Sequence, residues 1–282
     1  MKVVAIAVVL SALPISVLSY TMDGPTPAPE RDWEFNITII NSFQCPYASE
    51  ILGLDYVDGE NAVTFASNLD DLLYTCSADD GTYIEELALD FAGNAHPFGL
   101  CYDADGDVYL NDFSGQDINW TDYSSWYDYP NPSSNKGSGL DFDGDYIWET
   151  YWTDGVYRFL PDGTGVEYFP ISEVAAQMSG LAVFPLEGNL GIMIAAHGQY
   201  DFWFYEFDGS SVNYLGSVPC PLTPSQSQGL TYAAERGTFF WSYFIGDEDW
   251  IAELDINIEG GGGGGETAVA PTSMGAIKAA FR

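Results

Sequence analysis

Basic residues are what this sequence most lacks. Seven Lys and Arg stand against 42 Asp and Glu, and the formal net charge is −35. A surface of that sign repels phosphate backbones and anionic lipid, so nucleic acid and acidic membranes are excluded as partners. Histidine is scarce too, with His96 and His197 the only two in 282 residues, and cysteine stops at four. Beyond the N-terminal segment no apolar run reaches the roughly 18 residues that a membrane-crossing helix needs. There is no Gly-x-Ser-x-Gly elbow and no phosphate loop, so the sequence signs of a serine hydrolase or a nucleotide enzyme are missing.

Aromatic residues are abundant: 19 Tyr, 17 Phe and 8 Trp, within a hydrophobic share of 46%. That mixture suits strands. The stretch Pro97 to Asp112 reads as two short strands joined at Asp105-Gly106, because a tight turn needs positive φ and Gly supplies it. Its Gly99-Leu100 pair recurs at Gly53-Leu54, Gly139-Leu140, Gly180-Leu181 and Gly229-Leu230, at steps of 46, 40, 41 and 49 residues. A period of roughly 40–50 residues with several strands per period is a propeller signature. The last repeat ends one strand short, and Trp33–Phe43 is an isolated alternating strand ahead of the first repeat. The expected fold is therefore an all-β propeller of five four-stranded blades, closed by the N-terminal strand pairing into the last blade. The poorly patterned Ser114–Asn135 leaves a sixth blade open.

Around this propeller, placed at 33–258 with 33–45 as its closing strand, the chain divides simply. Residues 1–19 form a signal-type segment, with Lys2, an apolar stretch from Val3 to Val17 and a small-residue cleavage pattern. The mature protein is thus expected to be secreted or held at the cell surface. Pro25, Pro27 and Pro29 make 20–32 an extended linker, and a glycine run makes 259–266 a flexible one. The tail, 267–282, is set apart by its small basic end. Cys45 and Cys220 hold equivalent repeat positions, which argues against pairing them, since equivalent points on different blades lie beyond disulfide reach. Cys76 and Cys101 fall within strands, and no bridge is assigned.

Pro97–Asp112 resembles the NHL-type propeller repeat, which runs Pro-x-Gly-Ile/Leu, an acidic residue, Asp/Asn-Gly and a strand ending in Asp. The resemblance implies fold; that family holds binding modules as well as enzymes. The tail, Ala270-Pro-Thr-Ser-Met-Gly-Ala-Ile-Lys-Ala-Ala-Phe-Arg282, resembles short Thr-Ser-Trp-Gly-x-Ile-Lys tags of some secreted bacterial proteins, with Met274 in the Trp position. It implies sorting or surface attachment.

Propeller ligands usually bind at the channel mouth on the face of the inter-blade connections. On that face the sequence places His96, Asp112, Glu149, His197, Asp201 and Asp247, with Asn68 and Asp70. The candidate ligand-binding set is Asp112, Glu149, His96, His197 and Asp247. Within it Asp112, Glu149 and His197 are the candidate ligands for calcium or another divalent cation, although no spacing is diagnostic. Lactonase-type propellers related in shape hold a metal through Glu, Asn and Asp, residue types this face also carries. Trp120, Trp126, Tyr127 and Tyr129 form a candidate glycan platform, against the alternative that they pack between blades. With no nucleophile motif, the expected role is an exported, non-catalytic binding module for an extracellular protein, glycan or small ligand. The alternatives are a metal-dependent lactonase, hydrolase or lyase at the channel mouth, and a glycan-binding protein.

Overall fold

The computed structural model describes residues 33–89, 97–112, 117–133 and 137–260. The signal-type segment, the Pro-rich linker and the tail lie outside them, as does His96. The twenty strands form five four-stranded antiparallel sheets. β1 (Trp33–Gln44) comes first. Blade one is β2 (Ile51–Val57), β3 (Ala62–Ser67), β4 (Leu72–Ser77) and β5 (Tyr83–Ala88). Blade two is β6 (Pro97–Tyr102), β7 (Val108–Asp112), β8 (Asp117–Thr121) and β9 (Trp126–Pro130). Blade three is β10 (Gly137–Phe142), β11 (Ile147–Tyr151), β12 (Gly155–Phe159) and β13 (Glu167–Pro170). Blade four is β14 (Met178–Leu186), β15 (Asn189–Ala196), β16 (Asp201–Phe207) and β17 (Val212–Pro219). Blade five is β18 (Gln226–Ala233), β19 (Thr238–Ile245) and β20 (Glu248–Gly260), with β1 as its outer strand. The sixth-blade alternative falls, because the described residues of that stretch are β8 and β9, the outer strands of blade two.

The expected closure is present. β1 pairs antiparallel with β20, with Ile37 opposite Ile256, and Phe35 stacks on Phe204 of blade four at 4.3 Å. Closure is reinforced by Arg236, one of only two basic residues among those described. From the β18–β19 turn its guanidinium meets both carboxylate oxygens of buried Glu253, at 2.7 and 2.8 Å, and reaches Asp79 of blade one at 2.9 Å. The other, Arg158, lies between the rings of Tyr146 and Phe207, 4.6 and 4.5 Å from their centroids.

The repeating glycines have one physical cause. A Cβ at Gly53, Gly99, Gly139, Gly180 or Gly229 would fall within 3.0 Å of the next blade's innermost backbone, in each case around the full ring. Five strands can meet this closely only where none carries a side chain. Each inner strand also shifts register beside its glycine, and at three of the five a side chain accepts from the glycine N–H. Asn111 Oδ1 accepts from Gly99 at 2.7 Å, Thr150 Oγ1 from Gly139 at 2.8 Å and Ser242 Oγ from Gly229 at 2.8 Å. The apolar core is distributed between blades, with one buried cluster at each of the five interfaces.

Candidate functional site

Two residues beyond each ring glycine, the inner strands carry Asp55, Cys101, Asp141, Ala182 and Thr231. Alternation directs this position, like the glycine, toward the next blade. Asp55 Oδ2 accepts from Tyr102 N–H of blade two at 2.7 Å, and Asp141 Oδ2 accepts from Val183 N–H of blade four at 2.7 Å. Their Oδ1 atoms accept from Tyr56 and Phe142 N–H, and Thr231 Oγ1 donates to Asp55 from blade five. Both carboxyls are therefore latches between blades. Each is 7% exposed.

Both also line a pocket of about 390 Å³ to which all five blades contribute, through Asp55, Tyr102, Asp141, Val183 and Tyr232 among others. This is an axial mouth, on the face of the hairpin turns. Asp58, Asp103 and Asp105 add further carboxylates at its rim. Tyr232 is only 8% exposed, and its hydroxyl has no hydrogen-bond partner. A buried, unsatisfied hydroxyl costs free energy unless something in the pocket pairs with it.

Electrostatics acts on both acids. Burial raises the Asp55 pKa to about 7, although Thr231, Tyr102 and Tyr56 donate hydrogen bonds that pull it back. Burial holds Asp141 well above the usual carboxylate range, and the charge of Asp55 pushes it further. Cys101, between them in the ring, is fully buried and raised by burial and then by the same two aspartates. Burial thus pushes both carboxyls of the pocket upward, and Asp55 is poised between its two forms near neutral pH.

The described residues expected at the opposite mouth each have their own surroundings. Asp112 is half-buried at the end of β7, opposite Pro97 in the ladder. His197 sits in the turn after β15, where its N–H donates to Gln177 O at 2.8 Å and its Nδ1 is 3.4 Å from Gln228 Nε2. Asp247 is exposed in the β19–β20 turn, and Asp201 is half-buried at the start of β16. Asn68 bonds Glu50 at 2.6 Å, and Asp70 accepts from Ser67 and the Ser49 N–H. Glu149 is fully buried between blades two and three. Its Oε1 accepts from Asn111 Nδ2 at 2.9 Å and Asn131 Nδ2 at 2.7 Å, and its Oε2 has no partner. Burial raises its pKa, while the two asparagines and Ser133 oppose the shift.

For the divalent cation that the sequence suggested, no gathered acidic donor set is present among the described residues: no three His, Cys, Asp or Glu side chains come together as a metal-holding group. Beside Glu149, the amide oxygens of Asn111 and Asn131 accept from the Gly99 and Ser133 N–H groups.

The aromatic candidates lie on the outer strands of blade two. Trp120 stacks between Tyr109 and Tyr127, at 6.0 and 4.6 Å. Trp126 donates to Ala88 O at 3.2 Å and packs on the interface of blades one and two. Tyr129 packs between blades two and three, and Tyr127, 44% exposed, presents the most open ring of the four.

Sequence reasoning missed Asp55 and Asp141 because it assigned chemistry to loops. The signal was present in Gly53-Leu-Asp-Tyr56 and Gly139-Leu-Asp-Phe142, two carboxylates at an inner-strand position otherwise filled by Cys, Ala and Thr.

No family model matches the sequence, and no curated protein matches it. Solved structures do. Myxococcus xanthus glutaminyl cyclase superposes with a TM-score of 0.61 at 14% identity, over 79% of this chain and 97% of that one. The PQQ-bound aldose sugar dehydrogenase of Streptomyces coelicolor gives 0.53 at 11% identity, over 79% and 98%. A Xanthomonas campestris gluconolactonase gives 0.50 at 15% identity, over 73% and 86%. Likeness at this identity establishes the fold. The expectation of a non-catalytic module that leaned away from an enzyme is corrected by these three, which are a cyclase, a dehydrogenase and a lactonase.

Proposed function

We propose that this chain is a hydrolytic enzyme that opens lactones or related esters by acid–base chemistry in the axial pocket. The observation that carries the reading is the pair Asp55 and Asp141, two buried carboxyls that line one five-blade pocket and are both pushed upward by burial. Ionised Asp55 takes a proton from water as the water oxygen bonds to the acyl carbon. The unpaired Tyr232 hydroxyl donates to the oxygen on which negative charge develops. As the ring C–O bond breaks, Asp141 gives its proton to the leaving alkoxide. One water is consumed, a hydroxy acid is the product, and the proton gained by Asp55 returns to Asp141 through solvent.

The test is hydroxy-acid release from a panel of aliphatic lactones and aryl esters, by the full chain and by Asp55→Asn, Asp141→Asn and Tyr232→Phe. Parallel arms use chelator, then added calcium, zinc or magnesium. Turnover lost in the aspartate variants while their folds persist supports the proposal. Turnover untouched by both removes it. Dependence on an added ion would restore the metal-assisted form, which the donor sets described above do not favour.

A second reading rests on the rim. Asp58, Asp103 and Asp105 make the mouth attractive to an ammonium group, as on a peptide N-terminus, and glutaminyl cyclase superposes over 97% of its length. In that reading Asp55 takes a proton from the amine that attacks a glutamine side-chain amide. Ammonia release from an N-terminal glutamine peptide separates it from lactone opening.

The NHL-type repeat pattern, the leader at 1–19 and the tag-like tail belong to the same proposal: an exported enzyme, held at the surface through 267–282. Fractionation of cells making the chain with and without each segment tests this part.

A further inference from the structure

We propose that Cys45 and Cys76 form a disulfide that ties the exit of the closing strand to blade one. This goes beyond the enzymatic reading and does not depend on it. The four cysteines are all buried, and the fold sorts them. Cys45 and Cys76 share the cluster between blades five and one, Cys101 lies between blades two and three, and Cys220 between blades four and five. Of the possible pairs only Cys45 and Cys76 are in contact: their side chains hydrogen-bond to each other, with the Tyr47 side chain against both.

The position gives the bond its consequence. Cys45 follows the last residue of β1, and its N–H donates to Asp249 O of blade five at 3.1 Å. Cys76 lies in β4, opposite Val63 and near the register of Tyr83. A bond between them would tie the exit of the closing strand to the middle of blade one, enclosing β2 and β3 in a covalent loop. Peeling β1 from β20 would leave this bond intact, and the exit of β1 would stay fixed to blade one. Cross-links that close such loops stabilise chiefly by restricting the unfolded chain.

The pair is also chemically uneven. The hydrogen bond from Cys45 lowers the Cys76 pKa, while the same contact and burial raise that of Cys45. In the step, the thiolate of one of the two attacks a sulfur of a small-molecule or protein disulfide and expels one thiolate. The other cysteine's sulfur then attacks the mixed disulfide and expels the second. Two protein S–H bonds are lost, one S–S bond forms, and the oxidant leaves as two thiols.

The experiment refolds the full chain from urea in a mixture of oxidised and reduced glutathione. Remaining thiols are then alkylated, and the intact mass and non-reduced peptides are measured. The expected result is two alkylated cysteines, Cys101 and Cys220, and one linked peptide pair containing Cys45 and Cys76. Reductant should then lower the thermal midpoint by on the order of 5–10 °C. The same reductant should leave the midpoint of the Cys45→Ala/Cys76→Ala double variant unmoved. Four alkylated cysteines after refolding, or a link between any other pair, would overturn the proposal. The mass map alone decides if the double variant does not fold.

Discussion

Thr231 and Asp55 are 176 residues apart in the chain and joined by a 2.5 Å hydrogen bond across the seam between blades five and one. Through its other oxygen Asp55 holds the Tyr102 N–H of blade two, so one carboxyl ties three blades and lines the pocket at their axis. Structure and proposed chemistry share an atom here, which makes the two separable by substitution.

Thr231→Val removes the hydroxyl and keeps the shape. Asp55 loses a donor that favours its charged form, so its pKa should rise above the wild-type value of about 7. Stability should fall by about 1–2 kcal/mol. A pH–rate profile with its acidic limb moved upward, together with a urea titration, checks both. An unmoved limb would mean that Asp55 is a latch only.

Stability should decline with rising pH. The folded-state pKa values of Asp55, Asp141, Glu149 and Asp249 all lie above the ordinary carboxylate value, with burial as the first cause in each. The folded protein therefore keeps protons that the unfolded chain has released. Their stabilising effect is complete below the unfolded values, near 4, and is lost as pH rises through the folded ones, about 7 for Asp55. Between about pH 5 and pH 8 the loss should be on the order of 2–4 kcal/mol. The thermal midpoint should fall over that range, less steeply in the Asp55→Asn/Asp141→Asn variant. A flat or rising midpoint would contradict the sign.

Arg236→Ala strips the bidentate partner from Glu253, which is 2% exposed, and opens the link to Asp79. Leaving that carboxylate buried and unpaired should cost about 3 kcal/mol. Lysine cannot reproduce two parallel N–H donors, so Arg236→Lys should recover less than half. Full recovery by lysine, read from urea midpoints, would show that point charge alone suffices.

Gly99→Ala tests the glycine ring. The added methyl meets the Ser138 carbonyl of the next blade inside 3.0 Å, and backbone cannot rotate away. The expected cost is about 3 kcal/mol, against almost nothing for the same change at Gly106 measured as space alone, where nothing lies within 4 Å. Gly106 has φ of 90°, so its cost is conformational strain of about 1 kcal/mol.

Much of the fold was legible in the sequence because the packing demand is local and repeated. Close approach at the axis requires glycine, and Gly53, Gly99, Gly139, Gly180 and Gly229 print that demand at the blade period. The closing strand was legible because Trp33, Phe35, Ile37 and Ile39 alternate without a partner nearby in sequence. The site was not. The Gly-Leu-Asp context of Asp55 and Asp141 marks the inner-strand position, but that this position opens on an axial pocket depends on how five distant strands meet. Glu149 was singled out for a mouth, yet two asparagines from blade two enclose it.

The most direct test of the account is the pH profile of kcat/KM for lactone opening by the wild-type chain and by Asp141→Asn. The wild type should lose activity below about pH 7 as Asp55 takes up its proton, and above the high pKa of Asp141 as that acid ionises. Asp141→Asn should abolish the alkaline limb and lower the plateau by about 10²–10⁴-fold with the fold intact. A folded Asp141→Asn protein with the wild-type plateau and both limbs would contradict it.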